Sequence, residues 1–166
     1  MSNVLALFKS INHFIFDIDG VLTDGTLIIS ADGTMLRTMN IKDGYAIQLA
    51  IKKGYKVSIL SGAKGEAIEK RLSGLGVDDI HLGIENKLQK FEEVMQTGKL
   101  ELSQILYMGD DMPDREVMKL VSLPCCPSDA CAEIKEVSKY ISPQAGGKGC
   151  VRDVIEKVLK LNNSWE

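Results

Sequence analysis

Short apolar runs alternate along the chain with amphipathic stretches of helical period, and this alternation is the strongest constraint on the fold. Phe14-Ile15-Phe16, Val57-Ser58-Ile59-Leu60, Ile80-His81-Leu82 and Ile105-Leu106-Tyr107-Met108 read as buried strands. Asp43 to Lys53, Glu66 to Leu72, Asn86 to Met95 and Arg115 to Leu120 read as the helices between and after them. Gly54 stops the first helix, and Gly74 and Gly76 the second. Val121-Ser122-Leu123 reads as a further strand. Val151, Val154, Ile155, Val158 and Leu159 form the apolar stripe of a last helix. Strand and helix in turn, with short connections, predict an α/β fold: a Rossmann-like parallel sheet with helices on both faces. One segment departs from the pattern. Leu27-Ile28-Ile29 and Met35 to Met39 flank Asp32-Gly33, which predicts an inserted β-hairpin.

At 166 residues the chain reads as one domain, 1–166. A fold of this size buries about 69% of its unfolded surface, so the core needs no staples. The cysteines, Cys125, Cys126, Cys131 and Cys150, form no CxxC pair, and His13 and His81 are the only histidines. They read as reduced thiols packed as small hydrophobes rather than as zinc ligands. Lys plus Arg total 20 against 23 for Asp plus Glu, a net charge of −3. That argues against a nucleic-acid binder but not against small anionic substrates. No apolar run reaches the ~18–20 residues of a membrane span. Met1 to Phe8 lacks the basic start of a signal peptide, so a cytoplasmic protein is expected.

In a parallel sheet, ligands bind beyond the carboxyl ends of the strands. The polar residues gather there. Asp17 and Asp19 follow the first strand, Ser61-Gly62 the second core strand, and Asp110, Asp111 and Asp114 a later one, while Lys87 opens a helix. One acidic cluster alone would be helix-cap chemistry. Two clusters at one sheet edge repel and need a neutralising ion. Hard oxygen ligands suit Mg²⁺, which also binds substrate phosphate. A hydroxyl at Ser61, the Gly62 N–H and the Lys87 ammonium are suited to phosphoryl oxygens.

Asp17-Ile18-Asp19-Gly20-Val21-Leu22-Thr23-Asp24, Leu60-Ser61-Gly62, Asn86-Lys87 and Gly109-Asp110-Asp111-Met112-Pro113-Asp114 resemble, in order, the four motifs of the haloacid dehalogenase superfamily. Asn40-Ile41-Lys42-Asp43-Gly44 and Ala145 to Asp153 are further similar to the 3-deoxy-D-manno-octulosonate 8-phosphate (KDO 8-phosphate) phosphatases, so the resemblance covers essentially the whole chain. It implies a capless haloacid dehalogenase-like fold with a small hairpin insertion and a phosphatase of lipopolysaccharide precursor biosynthesis. It implies Asp17 as nucleophile and Asp19 as general acid and then base. Mg²⁺ would sit on the Asp17 side chain, the Asp19 main-chain carbonyl and Asp110. Ser61, Gly62 and Lys87 would bind the phosphoryl group. Asp111 and Asp114 would support the site from behind, with Asp111 the preferred of the two. Superfamily ATPases carry Thr two positions after the nucleophile. Asp19 stands there instead, and an acid at that position can turn an acyl phosphate over.

Ser61-Gly62-Ala63-Lys64 departs from the basic or Gly-rich loop of the family, with Lys64 the candidate for the missing charge. A related sugar acid phosphate, such as a nonulosonate 9-phosphate, is therefore the alternative substrate. A response-regulator receiver would want Asp where Ser61 stands, and a non-catalytic binding module would be expected to lose Asp17 or Asp19. The hairpin residues Leu27, Ile29, Met35 and Met39 cannot all be buried by a lone ribbon. Together with the resemblance, this predicts a homotetramer whose hairpins cover neighbouring active sites, with Gly146 to Gly149 a mobile, substrate-responsive segment.

Overall fold

A computed structural model describes residues 4–98 and 100–166. Met1 to Asn3 of the segment Met1 to Phe8 lie outside them. In chain order the elements are α1 (Val4–Ser10), β1 (His13–Phe16), β2 (Ile28–Ile29), β3 (Met35–Leu36), α2 (Ile41–Lys52), β4 (Lys56–Leu60), α3 (Glu66–Gly74), β5 (Asp79–His81), α4 (Lys87–Gly98), β6 (Ile105–Met108), α5 (Arg115–Met118), β7 (Leu123–Cys126), α6 (Ala132–Val137), β8 (Tyr140–Ile141) and α7 (Cys150–Leu161). Six strands form one sheet in the order β5-β4-β1-β6-β7-β8, and every neighbouring pair is parallel. β2 and β3 form a separate antiparallel ribbon, the expected hairpin, with Gly33 at φ +83° in its turn.

The alternation of side chains along each strand divides the core in two. Phe14, Phe16, Val57, Ile59, Leu106 and Met108 point to one face, where α2 and the stripe of α7 cover them. Ile15, Leu60, Ile105 and Tyr107 point to the other, against Phe91 of α4, Val117 and Met118 of α5 and Ile134 of α6. Cys125, Cys126 and Cys150 are buried, Cys131 half-buried, and all four are free thiols. Helix α2 begins earlier than its apolar pattern, because the Asn40 side chain caps it by accepting from Lys42 N at 2.8 Å. The strand expected at Val121 begins instead at Leu123 and runs through Cys126.

The chain crosses from β1 to β4 and β5 on one side, then returns to β6 on the other. The carboxyl end of β1 is therefore the point where the strand order reverses, and Asp17 lies there. A cleft of ≈ 380 Å³ opens at this edge. A larger hollow of ≈ 460 Å³ lies where the strands begin, beside His13, Lys56 and Asp79, away from the acidic residues of the cleft.

His13 at that far edge gives the fold a pH dependence. The ring is 3% exposed, with Nε2 2.6 Å from the Ser58 hydroxyl and Nδ1 unpartnered. Burial pulls its pKa from 6.5 down to about 4; Lys56 acts the same way and Asp79 opposes. Below pH 6.5 the unfolded chain takes up a proton that the folded imidazole refuses until about pH 4. His13's contribution to stability is unchanged above that window and falls through it, by about 3 kcal/mol in all. In urea titrations between about pH 7.5 and 4, the protein should lose about 3 kcal/mol more than its His13→Gln variant. Parallel losses would contradict the assignment.

Candidate active site

Asp17 is the last residue held by the central strands: its N–H donates to the Met108 carbonyl at 3.1 Å. The chain then turns tightly through Ile18–Leu22, closed by Thr23 N donating to the Ile18 carbonyl at 3.0 Å. The buried Thr23 hydroxyl accepts from the N–H groups of Gly20 and Gly25 at 3.3 and 3.2 Å, bracing the turn. Gly20 sits at φ +84°, and a Cβ there would lie 1.9 Å from Asp110 Oδ2. Glycine is what allows the loop backbone to lie against that carboxylate.

The buried charges form a chain. Asp17, 6% exposed, has Oδ2 2.8 Å from Lys87 Nζ, while its Oδ1 is buried without a partner. Lys87 Nζ is also 2.6 Å from Asp114 Oδ1. The same Asp114 oxygen accepts from the Tyr107 hydroxyl at 2.6 Å, and its Oδ2 accepts from Asp110 N at 3.3 Å. Oxygen atoms of Asp17, Asp110 and Asp114 all lie within 4.8 Å of one another. Burial raises the Asp17 pKa, and Asp114 raises it further against the pull of Lys87. Burial, then Asp17 and Asp114, push Asp110 up to about 7. Burial works to lower the Lys87 pKa, but Asp17 and Asp114 outweigh it and the ammonium is held firmly charged. Burial and Asp114 raise Tyr107, which remains a neutral donor. Three carboxylates thus share one ammonium, so with all of them ionised the arrangement is short of two positive charges, and that deficit faces the cleft.

The strand-end residues read from the sequence meet here: Asp17, Asp19, Ser61, Lys87, Asp110 and Asp114 line one cleft. Ser61 is buried at the end of β4, held by its N–H to the His81 carbonyl and by Ile84 N to its own carbonyl. Gly62 is exposed beside it on the cleft wall. Asp111 and Asp114 exchange the order expected of them. Asp111 is exposed and caps the turn Met112–Asp114 by accepting from Met112 N at 2.8 Å. That turn brings Asp114 back beneath the strand end, fully buried, into space that a Cβ on Gly109 would fill. Lys64 is exposed, and its stem packs across Gly83.

Two features escaped the sequence reading. Arg37, beyond β3, forms a two-point ion pair with Asp19 across the mouth of the loop. Gly146 and Gly147 pack on the Asp17 loop of their own chain, a contact that the sequence does not reveal. Gly147 N donates to the Val21 carbonyl at 2.9 Å, and Gly146 N to Asp129 Oδ1 at 2.9 Å. A Cβ on Gly146 would stand 2.0 Å from the Gly20 carbonyl oxygen. At Gly146 and Gly147 the lack of a side chain allows this close backbone contact.

No protein-family model matches the chain. The 3-deoxy-D-manno-octulosonate 8-phosphate phosphatase of Escherichia coli K12 is 33% identical over 158 residues, covering 95% of this chain and 84% of the relative. The chain belongs to the KDO 8-phosphate phosphatase family. Its fold agrees. The crystal structure of the Yersinia pestis KDO 8-phosphate phosphatase superposes with a TM-score of 0.95 at 30% identity, covering 99% of this chain and 89% of that one. The Moraxella catarrhalis phosphatase, determined with magnesium, phosphate and KDO, superposes with a TM-score of 0.94 at 30% identity, covering 99% and 95%. Haloacid dehalogenase superfamily hydrolases are among the structural neighbours. KDO 8-phosphate phosphatase similarity thus extends over the sheet, the hairpin and the Gly-rich segment alike.

Proposed function

We propose that the chain, as one domain over residues 1–166, hydrolyses KDO 8-phosphate to KDO and inorganic phosphate through an aspartyl-phosphate, with Mg²⁺ as cofactor. The observation that carries this reading is the buried Asp17 carboxylate, paired with Lys87 on one oxygen and unpartnered on the other, beside Asp110 and Asp114. Asp17 attacks phosphorus as the bond to the leaving sugar oxygen breaks. Asp19 gives its proton to that oxygen and later takes one from the water that opens the acyl phosphate. The Ser61 hydroxyl, the Gly62 N–H and Lys87 bind the phosphoryl oxygens. Asp114 holds Lys87 in place from behind.

The donor set suits a hard cation. All the side-chain donors are carboxylate oxygens, Asp17 Oδ1 lacks a partner, and Gly20 leaves room beside Asp110 that a side chain would fill. Asp17, the Asp19 main-chain carbonyl and Asp110 would hold Mg²⁺. Asp114 is already engaged by three donors. When bound, the ion supplies charge neutralisation for the phosphoryl oxygens. A chelator should bring activity to background and added Mg²⁺ restore it. Asp110→Ala should cost at least the roughly 10–100-fold that loss of even an outer-shell partner costs. Full turnover in excess chelator would sink the metal assignment.

The loop after Gly62 brings no cation to the cleft wall, since Lys64 packs on Gly83, so a nonulosonate 9-phosphate is the competing substrate. Phosphate release measured across sugar acid phosphates decides: the highest kcat/KM on a substrate other than KDO 8-phosphate would overturn this part of the reading.

The proposal includes a cytoplasmic homotetramer with hairpins covering neighbouring sites. Among the described residues no helix is long and apolar enough to cross a membrane. Ile28, Ile29, Met35, Leu36, Ile41 and Tyr45 are exposed on the hairpin and the start of α2, and a second copy would bury them. Light scattering should give four times 18.2 kDa; a fully active species of 18.2 kDa would refute the shared-site arrangement.

A further inference from the structure

We propose that Arg37 is a positioning residue for Asp19, so that the hairpin sets the group that protonates the leaving oxygen. The inference rests on the reading of Asp19 as general acid. Arg37 Nε lies 2.6 Å from Asp19 Oδ1 and Nη2 3.0 Å from Oδ2, a fork on both carboxylate oxygens. The Arg37 side chain is 8% exposed while that of Asp19 is 39% exposed. Among the described residues, the Asp19 carboxylate has no other hydrogen-bond partner. The acid is thus held by the hairpin and not by the sheet that carries Asp17.

The stem of Arg37 lines a separate apolar groove of ≈ 350 Å³ with Met39, Ile41 and Ile68, between the hairpin and α3. Its guanidinium therefore stands between that groove and the catalytic cleft, and any shift of the hairpin is passed to Asp19. The chemistry requires this placement. As Asp17 forms its bond to phosphorus, the bond to the leaving oxygen breaks and the electron pair stays on that oxygen, which takes the proton from Asp19. Such an acid must reach to roughly 2.6–3.2 Å of the oxygen it serves. In the ion pair Asp19 is ionised, so the oxygen released by one Arg37 contact first takes up a proton, from solvent or from the bound phosphate monoester, and then gives it to the leaving group, while the other contact keeps the carboxyl oriented. A half-exposed aspartate without the fork has no fixed direction.

The test uses the full chain with Mg²⁺ and aryl phosphates of one ring size, from p-nitrophenyl to phenyl phosphate. An acidic phenol departs without help, whereas a more basic one needs the proton. kcat/KM reports departure of the leaving group and excludes the later water step. In Arg37→Gln the loss in kcat/KM should grow with phenol basicity, becoming about tenfold larger for phenyl than for p-nitrophenyl phosphate. Arg37→Lys, which keeps the charge but not the fork, should recover part of it, and carries the same comparison should Arg37→Gln not fold. In an Asp19→Asn background, Arg37→Gln should add less than about threefold, because the two act as a unit. An equal loss along the series would make Arg37 a structural or binding residue, and no loss would make the pair incidental; either overturns the proposal. If Asp19→Asn itself leaves the dependence on phenol basicity unchanged, the acid role fails and the inference with it. If Asp19→Asn steepens it and Arg37→Gln does not, only the inference falls.

Discussion

Asp17→Asn should abolish phosphatase activity, by at least about 10⁴-fold, while leaving the protein as stable as before or slightly more so. The loss follows from removing the atom proposed to accept the phosphoryl group; an amide oxygen at the same place carries no charge and forms no acyl phosphate. The stability expectation follows from the surroundings. Burial and the neighbouring Asp114 raise the Asp17 pKa, so its ionised form is a cost to the fold that the Lys87 pair only partly offsets. A neutral amide removes that cost, and Lys87 retains Asp114 at 2.6 Å. Stability given up for function is expected at a site of this kind. Turnover above about 1% of wild type, confirmed by mass spectrometry to come from undeamidated protein, would rule out Asp17 as nucleophile.

The sheet and its functional edge were legible because both rest on local signals. Ile105–Met108 is a strand with the expected bounds, since four apolar residues lie between polar boundaries. Ser61, Lys87 and the two acidic clusters converge because parallel strands deliver their carboxyl ends to one edge. What escaped depends on tertiary contact. Pro124 and the Cys pair obscured β7, and the two-residue β8 is too short to show a period. Position alone could not rank Asp111 against Asp114. The deciding signal is a turn that starts with Asp111 as cap and places Asp114 where Gly109 leaves room. Arg37 stands as a single cation in the run Met35 to Met39, and only the fold reveals its target. The glycines from 146 to 149 suggest freedom in sequence, yet Gly146 lies against the Gly20 carbonyl, a contact between backbones 126 residues apart.

Lys87→Met should be the most destabilising single change in the cleft as well as an inactivating one. Methionine matches the four-atom apolar stem of lysine and lacks only the ammonium, so packing against α4's neighbours changes little and the effect isolates the charge. In the native chain the ammonium is 2.8 Å from Asp17 and 2.6 Å from Asp114, and all three side chains are less than a tenth exposed. Removing one partner of such a buried network leaves the others uncompensated, at a cost of about 3–5 kcal/mol. For a chain of this length that corresponds to a fall in Tm of about 10 °C. The carboxylates can relieve the strain only by taking up protons. Asp17 is the more affected, since its other oxygen already lacks a partner and a protonated Asp17 is no nucleophile. Activity should fall at least about 100-fold, the usual cost of losing one donor to the developing charge. The double variant Lys87→Met, Asp114→Asn separates charge from shape. With the second carboxylate neutralised, part of the lost stability should return, although each substitution alone weakens the cluster. A double variant whose destabilisation equals the sum of the singles would mean that Lys87 and Asp114 contribute independently, and the network holding the nucleophile would then have to be sought elsewhere.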